Sequence, residues 1–311
     1  MTAKNAPQSP HLSVVVVVLA GGAHTVRCLR ALEASSGVPA LEILVPYDDG
    51  LADVAQLRAQ FPAVQFVHHA GKCTYAQLRA AGVRESRAAI VAVTEDQCIP
   101  PAGWCANVLA AHQGSVAAIG GPVEKQEPDT ALSWAIYLRE LGSYMPPMTG
   151  GPTAQLTDCN VTYKRAALDA IAGVWAESFH EPQVHAALAA RGQQLWLSNS
   201  LLTFQQRTLE LGPALAERYE FGRLYGSMRV LDLPLPRRLL MAAAAVLLPV
   251  LLTARAYRTV FSKGRHIAAA FRAAPYLLLF STVWGWGEFL GYLTARPPAA
   301  WDPARGAGPN Q

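Results

Sequence analysis

Charge is scarce in this sequence of 311 residues: 15% are Asp, Glu, Lys or Arg, against 51% apolar. That is apolar for a soluble domain, and the excess lies after Arg237. Cysteine is also sparse. The five residues (Cys28, Cys73, Cys98, Cys105, Cys159) are odd in number and none stands in a Cys-x-x-Cys pair. Their spacing therefore gives neither a disulfide framework nor a zinc site, and it suits a reduced cytoplasmic setting. Aromatic residues do not interleave with basic ones, so the pattern of a surface that stacks nucleic-acid bases is missing and no nucleic-acid partner is expected. Internal repeats are lacking too. After the first apolar run comes Ala20-Gly21-Gly22-Ala23, without the Gly-x-Gly-x-x-Gly spacing that a dinucleotide-binding oxidoreductase needs.

What is present begins with size: the chain is long enough for one large core or two modest ones. The formal charge of +4 hides an asymmetry. From Arg207 onward there are 13 Lys and Arg against 6 Asp and Glu, a net of +7, while the preceding part is net −3. Basic residues beside apolar stretches suit an anionic membrane surface.

Residues 1–11 read as a disordered tail with two prolines. Lys4, the run Val14–Ala20 and the following glycines have the outline of a secretory signal. The five consecutive valines read better as a buried strand, since β-branched side chains favour the pleated conformation. Strands are expected at 13–19, 41–45, 64–67 and 89–93, with helices at 25–34, 52–60 and 75–85 between them. This alternation predicts an α/β fold with a mostly parallel, doubly wound sheet flanked by helices. Ligands of such sheets sit beyond the carboxyl ends of the strands, where Asp48-Asp49 and Glu95-Asp96 both fall. Residues 122–152, rich in Pro, Gly and aromatics, read as irregular, either a lid over the site or a cover for a sheet edge. Regular structure resumes with a strand over 158–165 and helices at 166–172 and 183–191.

Two apolar segments close the chain. Leu239–Ala254 is uncharged, follows Arg237-Arg238 and contains Pro249; Pro275–Ala295 carries only Glu288. A spanning helix needs about 20 apolar residues, so the first is short and the second adequate. The linker with Arg255, Arg258, Lys263, Arg265 and Arg272 prefers the cytoplasm. The first segment therefore reads as a kinked re-entrant or interfacial element and the second as spanning or dipping in. Two full spans with cytoplasmic ends, or two buried core helices, are the alternatives. Trp284, Trp286 and Tyr292 near one end favour the membrane. Glu288 must face protein, water or a partner.

The runs Ser13-Val-Val-Val-Val-Val, Leu41-Glu-Ile-Leu-Val-Pro-Tyr-Asp48-Asp49-Gly50 and Val91-Ala-Val-Thr94-Glu95-Asp96-Gln97-Cys98-Ile-Pro-Pro-Ala-Gly-Trp104, in this order over residues 12–210, resemble the family 2 glycosyltransferases of GT-A fold. The resemblance implies a GT-A domain, taken over 12–232; the apolar segments place membrane-associated helices over 233–296, and 297–311 is expected as a flexible tail. The resemblance implies transfer of a sugar, with inversion, from a nucleotide-diphosphate donor to an acceptor hydroxyl, and the membrane attachment suggests that the acceptor is a lipid or lipid-linked glycan. The enzyme would sit at the inner membrane with its catalytic domain facing the cytoplasm. That chemistry needs a divalent cation, Mg2+ or Mn2+, at the diphosphate and a carboxylate base at the acceptor.

On this resemblance Asp48 or Asp49 contacts the base or ribose, or else makes a turn before a helix. Arg79 lies near the donor, or on a solvated helix face. Asp96 is the metal ligand, or a helix N-cap. Thr94 replaces a family aspartate, which shifts coordination toward Glu95 or the diphosphate. Asn160, in a strand resembling the family's Asn-x-x-Tyr-x-Arg, shapes the sugar pocket or pins a loop. Glu181 is the general base, or a charge placed before a helix N-terminus. Pro182 stands where the family has its last aspartate, with His180 and His185 as poorer bases. Arg218 and Arg223 are placed to bind diphosphate or lipid headgroups, or to form a solvated face. With Thr94 and Pro182 replacing carboxylates, a degenerate donor-binding or scaffold protein is the competing reading.

Overall fold

The computed structural model describes residues 10–35, 38, 40–231 and 233–296; the expected terminal tails fall almost wholly outside them. The described chain divides into two compact units, one of residues 10–124 and 146–206, the other of 125–145 and 207–296. The division does not follow the expected boundary at 232, because an internal segment and α9 (Leu211–Met228) belong with the C-terminal helices.

In the first unit, β1 (Leu12–Val17), α1 (Gly22–Ala34), β2 (Leu41–Tyr47), α2 (Val54–Gln60), β3 (Gln65–His68), α3 (Tyr75–Glu85) and β4 (Ile90–Glu95) follow the alternation read from the sequence. Then come β5 (Cys98–Ile99), α4 (Trp104–Ala111), β6 (Ala118–Gly120) and β7 (Val123–Lys125), the last crossing into the second unit. After α5 (Ala131–Glu140) of the second unit, the first resumes with β8 (Gly151–Thr153), β9 (Asn160–Lys164), α6 (Arg165–Asp169), α7 (Ala172–Trp175), α8 (Glu181–Ala190), β10 (Leu195–Leu197) and β11 (Thr203–Gln205).

The main sheet has the order β3-β2-β1-β4-β9-β6-β10-β8. It is mixed, which corrects the expectation of a mostly parallel sheet. β3, β2, β1 and β4 are parallel, but β9 runs antiparallel to both β4 and β6, and β8 to β10. The reason lies in where the chain re-enters. It leaves β6 at Gly120 and returns at Asn160, which stands opposite Thr94 at the carboxyl edge of β4. A strand entering from that edge must run backwards.

The valine run is buried on both faces, as a central parallel strand requires. Val15 and Val17 pack with Leu78, Val93 and Phe179, while Val14 and Val16 pack with Leu29, Val45 and Trp104. Helix α3 is pressed onto β1 at Gly82, where a Cβ would lie 2.4 Å from Val15 Cγ1. Its N-terminus is fixed by reciprocal hydrogen bonds of Thr74 and Gln77. These two constraints set where Arg79, on the same helix, is delivered.

In the second unit, α5 corrects the expectation of an irregular 122–152. Thr130 and Ser133 cap it reciprocally, and the prolines and glycines flank it without interrupting it. Helices α10 (Leu235–Ala245), α11 (Leu248–Lys263) and α12 (Ile267–Thr294) complete the unit. Between α10 and α11 the chain bends by 56°. The bend precedes Pro249 because proline has no N–H for the carbonyl four residues earlier, that of Ala245; Pro249 itself sits in the first turn of α11.

Helix α12 is long and apolar enough to cross a membrane, and 28% of its apolar stretch is buried. Helices α9 and α12 meet backbone to backbone. A Cβ at Gly222, Gly226, Gly287 or Gly291 would lie 2.3, 2.4, 2.3 or 2.4 Å from a carbonyl oxygen of the other helix. This close approach is the packing that small residues four apart permit. Arg238 donates from Nε to the Tyr292 carbonyl (3.0 Å) and from Nη2 to that of Leu293, satisfying the end of α12.

Candidate functional site

The carboxyl edge of the first unit's sheet gathers three acidic side chains on one guanidinium. Arg79, only 2% exposed, projects from α3. Its Nη2 donates to Glu95 Oε1 at the end of β4 (3.1 Å) and to Asp158 Oδ2 just before β9 (2.8 Å). Its Nη1 donates to Glu181 Oε2 at the start of α8 (3.3 Å), and Nε lies 3.1 Å from Glu181 Oε1, an ion-pair contact off the hydrogen-bond direction. All three acids are buried. Arg79 is therefore not on a solvated helix face.

The cluster is unbalanced, three carboxyls to one guanidinium, and it responds to that. Burial penalises the charged form of Glu181; Arg79 pulls its pKa back down and Asp158 pushes it up, leaving it at about 7. Burial also opposes the charge on Arg79, but Glu181, Asp158 and Glu95 outweigh that and hold the guanidinium more firmly protonated. A carboxyl poised near neutrality in a buried acidic cluster is suited to exchange a proton at ordinary pH. Pro182 has a local explanation: it stands in the first turn of α8, where no N–H is needed. His185 is held neutral, its pKa lowered to about 4 by burial, with Nε2 3.0 Å from the Tyr163 hydroxyl. The pKa of His180 is likewise lowered by burial and by Arg79.

Asp96, expected as the metal ligand, has its carboxylate engaged within the protein. Its carboxylate is wrapped by the β1–α1 loop. Oδ1 accepts from the backbone N–H of Leu19 (3.0 Å) and Ala20 (3.3 Å), and Oδ2 from Ala20 (3.2 Å), Gly21 (2.7 Å) and the Thr25 hydroxyl (3.0 Å). A carboxylate has about four lone-pair positions, so none is left for a cation in this arrangement. Asp96 instead ties the loop to the end of β4. Next to it, Gln97 is buried and its Oε1 has no hydrogen-bond partner. Among the described residues no three His, Cys, Asp or Glu side chains are grouped to hold a metal. The oxygen donor left over next to Asp96 is the buried Gln97 Oε1, of a type that a hard divalent cation accepts.

Asp48 and Asp49 form a separate group at the end of β2. Asp48 accepts from the backbone of Gly50 (2.9 Å) and Cys73 (2.8 Å). Asp49 accepts from Gly71 N (2.7 Å) and contacts His68 Nε2 (2.7 Å), and these two hydrogen bonds lower its pKa. Together they fasten the 69–73 loop beside β2. Asn160, fully buried, donates from Nδ2 to the carbonyls of Pro122 (3.1 Å) and Leu201, while its Oδ1 has no partner. It thus pins two loops at the same edge.

Arg218 and Arg223 belong to the second unit. Arg218 is paired with Glu140 (2.8 Å) and Glu217 (3.3 Å), and Arg223 contacts the Tyr219 hydroxyl (3.3 Å) and the Arg296 carbonyl (3.4 Å). The sequence reading missed Asp158 and Gln97 as site residues. Each adjoins a residue it did single out, Asn160 and Asp96, but nothing in their spacing shows which side chain turns toward Arg79. A groove of about 330 Å³ between residues 152–155, α8 and residues 193–195 is lined by Pro182 and His185 and includes none of the three acids.

No protein-family model matches the chain, and no curated protein matches it. Among solved structures, the chain is similar to GalNAc-T7 with UDP, GalNAc and Mn2+, at TM-score 0.49 and 10% identity over 66% of this chain and 45% of that one. It is also similar to the mannosyltransferase PcManGT from Pyrobaculum calidifontis in complex with GDP-Man and Mn2+, at TM-score 0.48 and 18% identity over 93% and 86%. A third likeness is to S. aureus TarS 1–349 in complex with UDP-GlcNAc, at TM-score 0.48 and 11% identity over 69% and 65%. This chain thus spans less than half the length of the first. With TM-scores below 0.5, none of these likenesses assigns an activity to it.

Proposed function

We propose that the first unit transfers a sugar from a nucleotide-diphosphate donor to an acceptor hydroxyl. The observation that carries this reading is the convergence of Glu95, Asp158 and Glu181 on buried Arg79 at the carboxyl edge of the sheet, with the Glu181 pKa raised to about 7. Glu181 takes the acceptor proton as the acceptor oxygen attacks the anomeric carbon. The bond to the diphosphate breaks with inversion and the nucleoside diphosphate departs. Arg79 is a positioning residue: its fork fixes the three carboxyls relative to one another. Glu95 and Gln97 are the residues that would hold a divalent cation, Mg2+ or Mn2+, which would supply charge neutralisation for the departing diphosphate. Asp48 or Asp49, with the 69–73 loop, receives the base or ribose, and Asn160 shapes the sugar side of the pocket.

The acceptor is a lipid or lipid-linked glycan and the protein is attached to the inner membrane, its first unit on the cytoplasmic side. What supports this is α12, the bent α10–α11 pair, and the basic residues between Arg255 and Arg272.

The test is nucleotide release by detergent-purified protein offered several nucleotide-sugars with Mn2+, with and without lipid extract. Release by the wild type that disappears in Glu181→Gln supports the reading, and equal release by both removes Glu181 as the base. A second reading, donor binding without turnover, is favoured by the saturation of Asp96 and by the engagement of all three acids with Arg79. It predicts nucleotide-sugar binding with no release by any variant.

A further inference from the structure

The second unit holds a half-buried arginine that is in no ion pair with an acid. Arg139, near the end of α5, places its guanidinium carbon 5.1 Å from the centre of the Trp284 ring on α12, and its Nε is buried without a partner. The surrounding carboxylates are already committed. Glu140 Oε2 accepts from Arg207 (2.6 Å) and its Oε1 makes an ion-pair contact with Arg218 (2.8 Å) off the hydrogen-bond direction, and Glu217 pairs with the same two arginines, at 3.3 Å each. Glu288 accepts from Trp284 Nε1 (2.8 Å) and from the Tyr292 hydroxyl. Cationic neighbours oppose Arg139 instead. Its pKa falls to about 10 through burial and then through Arg218, with Arg255 of α11 adding to the effect and Glu140 and Glu288 resisting it.

A partly desolvated guanidinium on an indole face, on a helix that packs against α11 and feels the charge of its exposed Arg255, is an arrangement that an anion completes. The approach to it is apolar. Leu251 and Leu247 lie one and two turns before Arg255 on α11 and its leading edge, and both are exposed. Residues four apart share a helix face, so an apolar track leads up to the cation. Inorganic phosphate has no use for such a track, whereas an amphiphile does.

We propose that Arg139 and Arg255, on the Trp284 platform, bind the phosphate of a lipid whose chain lies along Leu251 and Leu247. The site lies within the second unit and is read by binding alone. It also reassigns the headgroup contact expected at Arg218, whose Nη1 and Nη2 pair with Glu140 and Glu217.

The experiment uses the full chain in a neutral detergent, titrated with farnesyl phosphate, a short-chain phosphatidylglycerol, farnesol and inorganic phosphate, with binding followed by native mass spectrometry. Both lipid phosphates bind, while farnesol and inorganic phosphate bind at least ~10-fold more weakly, as loss of a charge-assisted contact or of the tail requires. Tighter farnesyl phosphate identifies an isoprenoid phosphate as the ligand, and tighter phosphatidylglycerol identifies a bilayer headgroup; either supports the site. Arg139→Gln and Arg255→Gln each weaken lipid-phosphate binding by about 10-fold or more, while the exposed Arg237→Gln changes it by less than about 2-fold. Ligand-free Arg139→Met melts no lower than the wild type, because it loses no carboxylate partner. Equal losses in all three Arg→Gln variants, equal binding of inorganic phosphate, or collapse of Arg139→Met overturns the proposal.

Discussion

Arg79 and Arg139 are the same side chain in opposite company. In the first unit one guanidinium serves three buried carboxyls, so the surplus is negative and Glu181 relieves it by holding its proton up to about pH 7. In the second unit two glutamates are shared by Arg207 and Arg218, so the surplus is positive and Arg139 is left with an indole and two like charges. Neither imbalance is a stable way to build a core, since buried charge is costly unless fully paired. Each points to something that arrives: a cation and a proton in the first unit, an anion in the second. The scaffolds differ accordingly. A sheet edge collects side chains from distant parts of the sequence, whereas the helical unit is held by glycine contacts and leaves apolar surface exposed.

The largest effect expected from breaking this contrast is at Arg79. Arg79→Met leaves three buried carboxyls without a counter-ion and should cost about 3–5 kcal/mol in stability. Urea denaturation of the variant, compared at pH 7 and pH 5, measures it, and the lower pH should restore part of the loss as Glu181 takes up its proton. Arg139→Met should show no such loss.

Glu181→Gln should lower the rate of nucleotide release by about 10²–10⁴-fold with little change in donor affinity. In the wild type the rate should rise with pH through about 7 and then level off, and that limb should vanish in the variant. The stability dependence has the opposite sense. The native pKa lies above the ordinary 4.5, so the native state binds the proton more tightly than the unfolded chain. Glu181 thus favours the fold fully below pH 4.5 and loses that contribution as pH rises through about 7.

A smaller effect is expected at the glycines of the second unit. Gly226→Ala brings a Cβ within 2.4 Å of the Glu288 carbonyl oxygen, forcing α9 and α12 apart at about 1–3 kcal/mol. A drop in the melting temperature of detergent-solubilised protein detects it. Lipid-phosphate binding should weaken with it, since Trp284 lies on α12. Smallest is Gln97→Ala, expected to raise the Mn2+ concentration for half-maximal release by about 10-fold with little change in stability, while Asp96→Asn should mainly increase protease cleavage in the β1–α1 loop. An unchanged Mn2+ requirement in Gln97→Ala would remove that residue from the cation site.

The alternation from Leu12 to Glu95 was legible because each strand and helix there is announced by its own periodicity. Asp48-Asp49 and Glu95-Asp96 were legible as strand-end acids for the same reason. The antiparallel entry of β9 was not, since periodicity carries no direction; nor was α5, hidden between prolines and glycines. The bend before α11 was half legible. Pro249 announced a break, but the lost hydrogen bond to Ala245 places it before the proline.

By itself the sequence determined which residue types stand at which strand and helix ends, where the apolar helices lie, and how charge divides between the two parts of the chain. Only the tertiary structure decided which charges share a partner. Asp96 and Glu95 are neighbours in sequence, yet Glu95 ends β4 and Asp96 begins the turn that follows it. One is enclosed by the backbone of the β1–α1 loop and the other reaches Arg79. The same step of one residue separates Glu140, bound by two arginines, from Arg139, bound by none of the acids around it.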